Sequence, residues 1–221
     1  MSDVKQEAAT VAPTVAVMDQ LPDASIQGQS PLFHADLATV AKNGPKTGGV
    51  TFKEEALMGQ ITLRLNAENA EQLKAAEKAL GVALPTQPLT SVVKGEVSVR
   101  WMSPDEWLIV VPGLKAFEVE SALHAELSGH YQVVNISGGW TIFKLSGANV
   151  VDVLKKSTIV DVHPSVFPVG KVVSTTFAKS SAIIRRSGES EFELVVRRSF
   201  SDYLWLWIQD ASREFGLVVE A

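Results

Sequence analysis

Arg185-Arg186 and Arg197-Arg198 carry the most pointed chemistry in this chain. The second pair falls where an apolar segment, Phe192 to Val196, runs into a helical pattern opening near Phe200. At such a junction a guanidinium can hold an anion, or a partner's carboxylate, through two parallel hydrogen bonds. A solvated strand end is the reading that needs no ligand. Asp161-Val162-His163 sets an acid and a base two residues apart, on one face if the segment is a strand. It lies in a Pro-bounded loop, Ile159 to Pro168, where Asp and His serve turns. Asp105 and Glu106 occupy a hairpin turn, where acids bond backbone more often than they move protons.

Chemistries with stricter spacing rules find no support. His34, His124, His130 and His163 form no H-x-x-x-H pair, and no His or carboxylate cluster has zinc spacing. There is no G-x-G-x-x-G turn for a dinucleotide. Gly44 to Thr51 imitates a phosphate loop, but Val50 stands where lysine would hold the phosphates. A G-x-S-x-G elbow is missing, and the absence of cysteine removes thiolate nucleophiles, thiolate metal sites and disulfides. Asn135-Ile136-Ser137 is a glycosylation sequon in form only. No catalytic, cofactor-binding or metal-binding residue is therefore assigned.

A net charge of -5 argues against a nucleic-acid binder. With 221 residues, 46% of them hydrophobic, the chain can bury a real core as one large domain or two small ones. No apolar stretch reaches bilayer length. The first thirty residues hold one lysine against four acids and no continuous apolar region, unlike a signal peptide. A cytoplasmic location is expected.

The elements that would position these residues alternate from Val50 onward, after a Gly/Pro/Lys loop at Asn43 to Gly49. Gln60 to Leu65 alternates as a half-buried strand. A helix opens at Asn66 or Glu68, carries Leu73, Ala76 and Leu80, and closes at Gly81. Glu96 to Trp101 and Trp107 to Val111 make a hairpin around Ser103-Pro104-Asp105-Glu106. A helix over about Lys115 to Leu127 and a strand over Tyr131 to Ile136 follow. Trp140 to Leu145, Lys171 to Ala178, Ala182 to Arg186, Phe192 to Val196 and Leu217 to Val219 read as strands. Ala148 to Lys156 and Phe200 to Glu214 read as helices. Gly59 to Asn66 lines up with Gly139 to Ser146, and Ile109-Val110-Val111 with Leu194-Val195-Val196. This predicts an α+β fold of two related β-α-β-β-α-β-like units, a mostly antiparallel sheet with helices packed on it. The expected division is an extended or disordered arm over 1–29, a first unit over 30–137 and a second over 138–221, packed as one body.

The last helix has one apolar face too many. Phe200, Tyr203, Leu204, Trp207, Ile208 and Ala211 form one stripe, leaving Trp205 and Leu206 directed elsewhere. Trp205, Leu206, Arg197 and Arg198 are the candidate subunit interface, with burial of Trp205 under the N-terminal arm as the alternative.

Several segments then carry a resemblance in order along the chain. Trp101-Met102-Ser103-Pro104-Asp105-Glu106-Trp107-Leu108 and Val134-Asn135-Ile136-Ser137 are followed by Asp161-Val162-His163-Pro164 and Phe167-Pro168-Val169-Gly170. Arg198-Ser199-Phe200-Ser201-Asp202-Tyr203-Leu204-Trp205 completes the series. From about residue 30 to the C-terminus the chain resembles the gamma subunit of heterotetrameric sarcosine oxidase, with Asn135 where an aspartate is expected. The resemblance implies a non-catalytic assembly subunit. Its complex would oxidatively demethylate sarcosine to glycine, producing hydrogen peroxide and either formaldehyde or 5,10-methylenetetrahydrofolate. Alpha, beta and delta subunits are the implied partners, principally alpha. FAD and FMN would sit in beta, NAD and tetrahydrofolate in alpha and zinc in delta, with none bound by this chain. It also implies a fold similar to the folate-binding domain of glycine-cleavage aminomethyltransferases. No folate-binding or catalytic residue of that family is carried over to a position here. The alternatives are a stand-alone folate-binding one-carbon transfer protein, with Arg197 or Arg198 on the folate's glutamate tail, and the equivalent subunit of a related N-methyl amino acid dehydrogenase.

Overall fold

A computed structural model describes residues 27–221. The arm expected over 1–29 lies outside the described residues, apart from its last three positions. After a 3-10 turn at Phe33–Ala35 the chain forms α1 (Leu37–Asn43), β1 (Val50–Glu55), β2 (Gly59–Arg64), α2 (Ala70–Leu80), β3 (Ser91–Lys94) and β4 (Val97–Ser103). Next come β5 (Glu106–Val111), α3 (Ala116–Glu126), β6 (Gln132–Asn135), β7 (Trp140–Ser146) and α4 (Val150–Ser157). Strands β8 (Val172–Phe177), β9 (Ser180–Gly188) and β10 (Glu191–Arg197) precede α5 (Ser201–Ala211) and β11 (Leu217–Glu220).

Local chemistry sets these bounds. Asn69, rather than Asn66 or Glu68, starts α2, because its side chain accepts from the Glu71 and Gln72 amides. Asn66 makes a separate turn by accepting from the Glu68 amide at 2.9 Å. Gly81 ends α2 at φ 70°, as its position past the last apolar residue requires. The β4–β5 turn is braced by Asp105, which accepts from Ser103 Oγ at 2.7 Å and Arg64 Nη2 at 2.6 Å. The Ser103 hydroxyl first, and Arg64 after it, hold the Asp105 carboxyl below its ordinary range. Its folded value is depressed, so the brace is present at neutral pH and disappears as pH falls through that lowered value. Asp105→Asn should therefore lower thermal stability at pH 7, and the difference should shrink as pH falls through and below the ordinary aspartate range.

The strands make two sheets, ordered β3-β4-β5-β2-β6 and β11-β1-β7-β10-β9-β8. Each half runs β-α-β-β-β-α-β, so β3 and β8 each add a strand ahead of the hairpin. The row β3-β4-β5-β2 repeats as β8-β9-β10-β7. Within that repeat Leu63 pairs with Trp107, whereas Phe143 pairs with Leu194. The two lined-up sequence segments thus differ by two residues of register, an even slip that keeps every side chain on its face.

One strand crosses the boundary drawn at 137/138. β1 pairs antiparallel with β7 and occupies the place in the second sheet that β6 holds in the first. β11 is displaced to the outside, where it pairs parallel with β1. Burial explains the exchange: Phe52 of β1 is fully buried in the second core against Phe143, with ring centroids 5.1 Å apart.

The sheets stack face to face with helices outside. Ile61, Leu63, Trp107 and Ile109 pack against Ala76, Leu80 and Leu123 of α2 and α3. Phe143, Leu145 and Leu194 pack against Leu154, Leu204 and Ile208 of α4 and α5. Between the sheets lie Leu108, Val110, Ile142, Val172, Ile183 and Val195. Alternation in β2 therefore does not mark a solvated face: its polar side meets the other sheet, and Gln60 is fully buried.

Candidate subunit interface and the layer between the sheets

Helix α5 settles differently from its apolar stripe. Ser201, Leu204, Trp205, Ile208 and Ala211 are buried. Trp205 is 5% exposed and lies 4.6 Å from the Phe52 ring, so it is a core residue and not an accessible interface residue. The reason is the transferred strand: β1 supplies Phe52, and Leu217 and Val219 of β11 pack against the same core cluster, while Val40 of α1 and Pro45 border a cavity beside the indole. Any part played by residues 1–26 lies outside the described residues. Trp207 is half-buried and donates its Nε1 hydrogen to Ser157 Oγ of α4 at 3.0 Å. Leu206 stays 57% exposed, in a row with Asp202 and Asp210. Trp205→Ala should destabilise the fold by about 3 kcal/mol. Leu206→Asp should shift stability by less than about 0.5 kcal/mol. Urea unfolding of the two variants checks both.

The two arginine pairs fare differently. Arg197 is exposed, with its guanidinium 4.5 Å from the centre of the Trp140 ring. Arg198 is exposed, and its carbonyl accepts from Ser201 Oγ at 2.7 Å to begin α5. Arg186 is buried on the helix side of β9, donating to Phe167 O at 2.9 Å and to Gly188 O at 3.2 Å. Arg185 turns the other way, into the layer between the sheets.

That layer holds an ion network that the search for motifs missed. Arg185 Nη1 lies 3.0 Å and Arg100 Nη2 2.5 Å from the same Glu193 Oε2. Arg185 Nε donates to Ser91 Oγ at 2.8 Å, and Ser91 passes its own hydrogen to Gly170 O at 2.7 Å. Strands β4, β9, β10 and β3 are thereby tied across the two sheets. Arg100 is 1% exposed. Burial pushes its guanidinium down to about 10; Glu193 opposes this and Arg185 adds to it. A charged residue in mid-strand, among Val97, Val99 and Trp101, was the available signal.

Other sequence candidates resolve as turn chemistry. Asp161 Oδ1 accepts from the His163 amide at 2.9 Å, and His163 Nδ1 lies 2.7 Å from Ser165 Oγ. The Gly49 and Val50 amides donate to Phe215 O and Gly216 O, so the glycine loop spends its donors on the β1–β11 junction. Two cavities open between the sheets. The larger, about 180 Å³, is bordered by Thr62, Met102, Glu106, Leu108 and Trp140. The smaller, about 120 Å³, is bordered by Ser98, Arg100 and Glu193. Among the described residues there is no cluster of three His or acidic side chains placed to hold a metal, and no helix is long and apolar enough to cross a membrane.

Two repeated units with stacked sheets and outer helices are the architecture of an aminomethyltransferase-type fold. The glycine cleavage system aminomethyltransferase T of Bartonella henselae superposes with a TM-score of 0.63 at 15% identity, covering 86% of this chain and 58% of that one. Sequence narrows the class further. Residues 64–214 match the model of the sarcosine oxidase, gamma subunit family, and the chain belongs to that family. The sarcosine oxidase subunit gamma of Corynebacterium sp. (strain P-1) is 32% identical over 192 residues, covering 85% of this chain and 91% of the relative. That of Arthrobacter sp. is 33% identical over 193 residues with the same coverage. A chain of the heterotetrameric sarcosine oxidase from Corynebacterium sp. U-96, solved with pyrrole 2-carboxylate, superposes with a TM-score of 0.75 at 28% identity, over 85% of this chain and 96% of that one.

Proposed function

We propose that this chain is the non-catalytic gamma subunit of a heterotetrameric sarcosine oxidase and works by holding the complex together. One observation carries the reading: its fold follows 96% of the length of a chain from such a heterotetramer. The partners are the alpha, beta and delta subunits, chiefly alpha, in the cytoplasm. FAD, FMN, NAD, tetrahydrofolate and zinc belong to those other subunits, and oxidative demethylation of sarcosine takes place there.

Surface chemistry supports an assembly role. Leu114 and Ile159, 93% and 92% exposed, are the large aliphatic side chains most available for such contacts. Leu206, Arg197 and Arg198 are further contact candidates; Trp205 is not. Co-expression with alpha, beta and delta tests this: the chain should copurify with all three. Leu114→Asp or Ile159→Asp should weaken that association about tenfold or more if the residue anchors the contact, with the isolated chain's melting unchanged. A chain that ignores the other subunits, and instead binds reduced folate saturably in calorimetry, would make it a stand-alone folate protein.

A further inference from the structure

Seven buried side-chain polar atoms lack a hydrogen-bond partner among the described residues: Gln60 Nε2 and Oε1, Gln72 Oε1, Ser98 Oγ, Arg100 Nε and Nη1, and Ser212 Oγ. Those of Gln60, Ser98 and Arg100 share one place. Val110 pairs with both Gln60 and Ser98, and Leu108 in the next row pairs with Arg100, so the three residues fall in adjacent rows of the five-stranded sheet. All three point to the layer between the sheets. Leaving a buried donor unpaired costs about 1–3 kcal/mol, and more for a charged group. A cluster of this kind in one layer calls for a hydrogen-bonding partner.

The adjoining cavity, about 120 Å³, has the size and walls for one. It equals the liquid volume of about four waters, or one carboxylate of a few heavy atoms. Met58, Val110 and Ile142 make apolar walls, and Arg100 and Ser98 border it with the unpaired donors. The charges there do not balance. Arg100 and Arg185 share the single carboxylate of Glu193. Glu55 and Glu96 also border the cavity, but Lys53 and Lys115 already hold them at 3.1 and 2.5 Å. One guanidinium charge is left over, with Nε and Nη1 unpaired beside a neighbouring hydroxyl.

We propose that this cavity binds a small free carboxylate, held by Arg100 Nε and Nη1 with Ser98 Oγ donating a further hydrogen bond. The guest pairs the leftover charge and satisfies three unpaired donors, all on β4. It is thus a ligand that stabilises the folded subunit.

Acetate is the probe, with the full chain as the sample. At 100 mM, against chloride of equal ionic strength, acetate should raise the folding equilibrium constant about tenfold, the gain for a site of about 10 mM affinity. Ser98→Val removes an unsatisfied hydroxyl, so it should fold at least as stably as wild type in chloride yet lose most of the acetate gain. Arg100→Gln should lose all of it. An acetate gain of equal size in Ser98→Val, or none in wild type, overturns the proposal. So does a crystal structure grown in acetate that shows only ordered water beside Arg100.

Discussion

Gly147→Ala should lower stability by about 4 kcal/mol, a large share of a total of ~5–15 kcal/mol. Gly147 turns the chain from β7 toward α4 at φ 118°, a conformation that side-chain-bearing residues rarely adopt. An added Cβ would lie 2.4 Å from Gly49 O, 3.0 Å from Gly49 C and 3.2 Å from Val50 Cα. All three are backbone atoms of the segment leading into β1, so no rotamer change relieves the overlap. Strain at an ill-suited φ contributes about 1–3 kcal/mol and overpacking a similar amount. Gly138→Ala is the control: no atom lies within 4 Å of its added Cβ, and it should change stability by less than about 0.5 kcal/mol. Urea unfolding midpoints of the two variants compare them directly. Equal midpoints would contradict the contact between the β7–α4 corner and the glycine loop.

Glu193→Ala is the second large effect, lowering stability by about 3–5 kcal/mol. Glu193 is the one carboxylate shared by Arg100 and Arg185, whose side chains are 1% and 8% exposed. Its loss strands two buried guanidinium groups at once. The contrast lies nearby, where Lys144 and Glu191 pair at 2.9 Å with side chains about one-third exposed. Water and salt screen that pair, and Lys144→Ala should cost under about 1 kcal/mol. Replacing the network as a whole, by Arg100→Met, Arg185→Met and Glu193→Leu together, should recover most of the loss, since an apolar layer needs no partner charge. Denaturant titration of the three proteins tests the series. If the triple variant is no better than Glu193→Ala, the network is more than a balance of buried charge.

How much of this was legible in the sequence depended on how far apart the interacting residues lie. Gly81 and the Pro104-Asp105 turn act within a few residues and bound their elements as expected, whereas α2 starts at the Asn69 cap, later than the Asn66 or Glu68 expected. The α+β duplication was readable because β2 and β7 repeat the same alternation. Alternation also misled. It marks one side of a strand as polar without saying what meets that side, and here the polar side of Gln60, Arg100 and Glu193 faces a second sheet. Trp205 failed for a related reason. The strand that covers it, β1, precedes it by some 150 positions, and no local periodicity reports such a neighbour. Arg185 and Arg186 look alike on paper, yet successive strand residues face opposite ways, and only one joins the layer between the sheets.

The place of β1 also sets a timetable for synthesis. The five-stranded sheet draws on residues 59–135 alone and can form as soon as that stretch is made. β1 is made earlier, yet its first partner, β7, ends at Ser146, and its second, β11, begins only at Leu217. At ordinary rates of about 5–20 residues per second, Phe52 and the open edge around it wait roughly 5–20 s for β7. During that interval the segment is a sticky strand without a sheet, open to a chaperone or to another nascent chain. Pulse-labelled hydrogen exchange on the refolding chain should accordingly find amides of β2, β4 and β5 protected before those of β1.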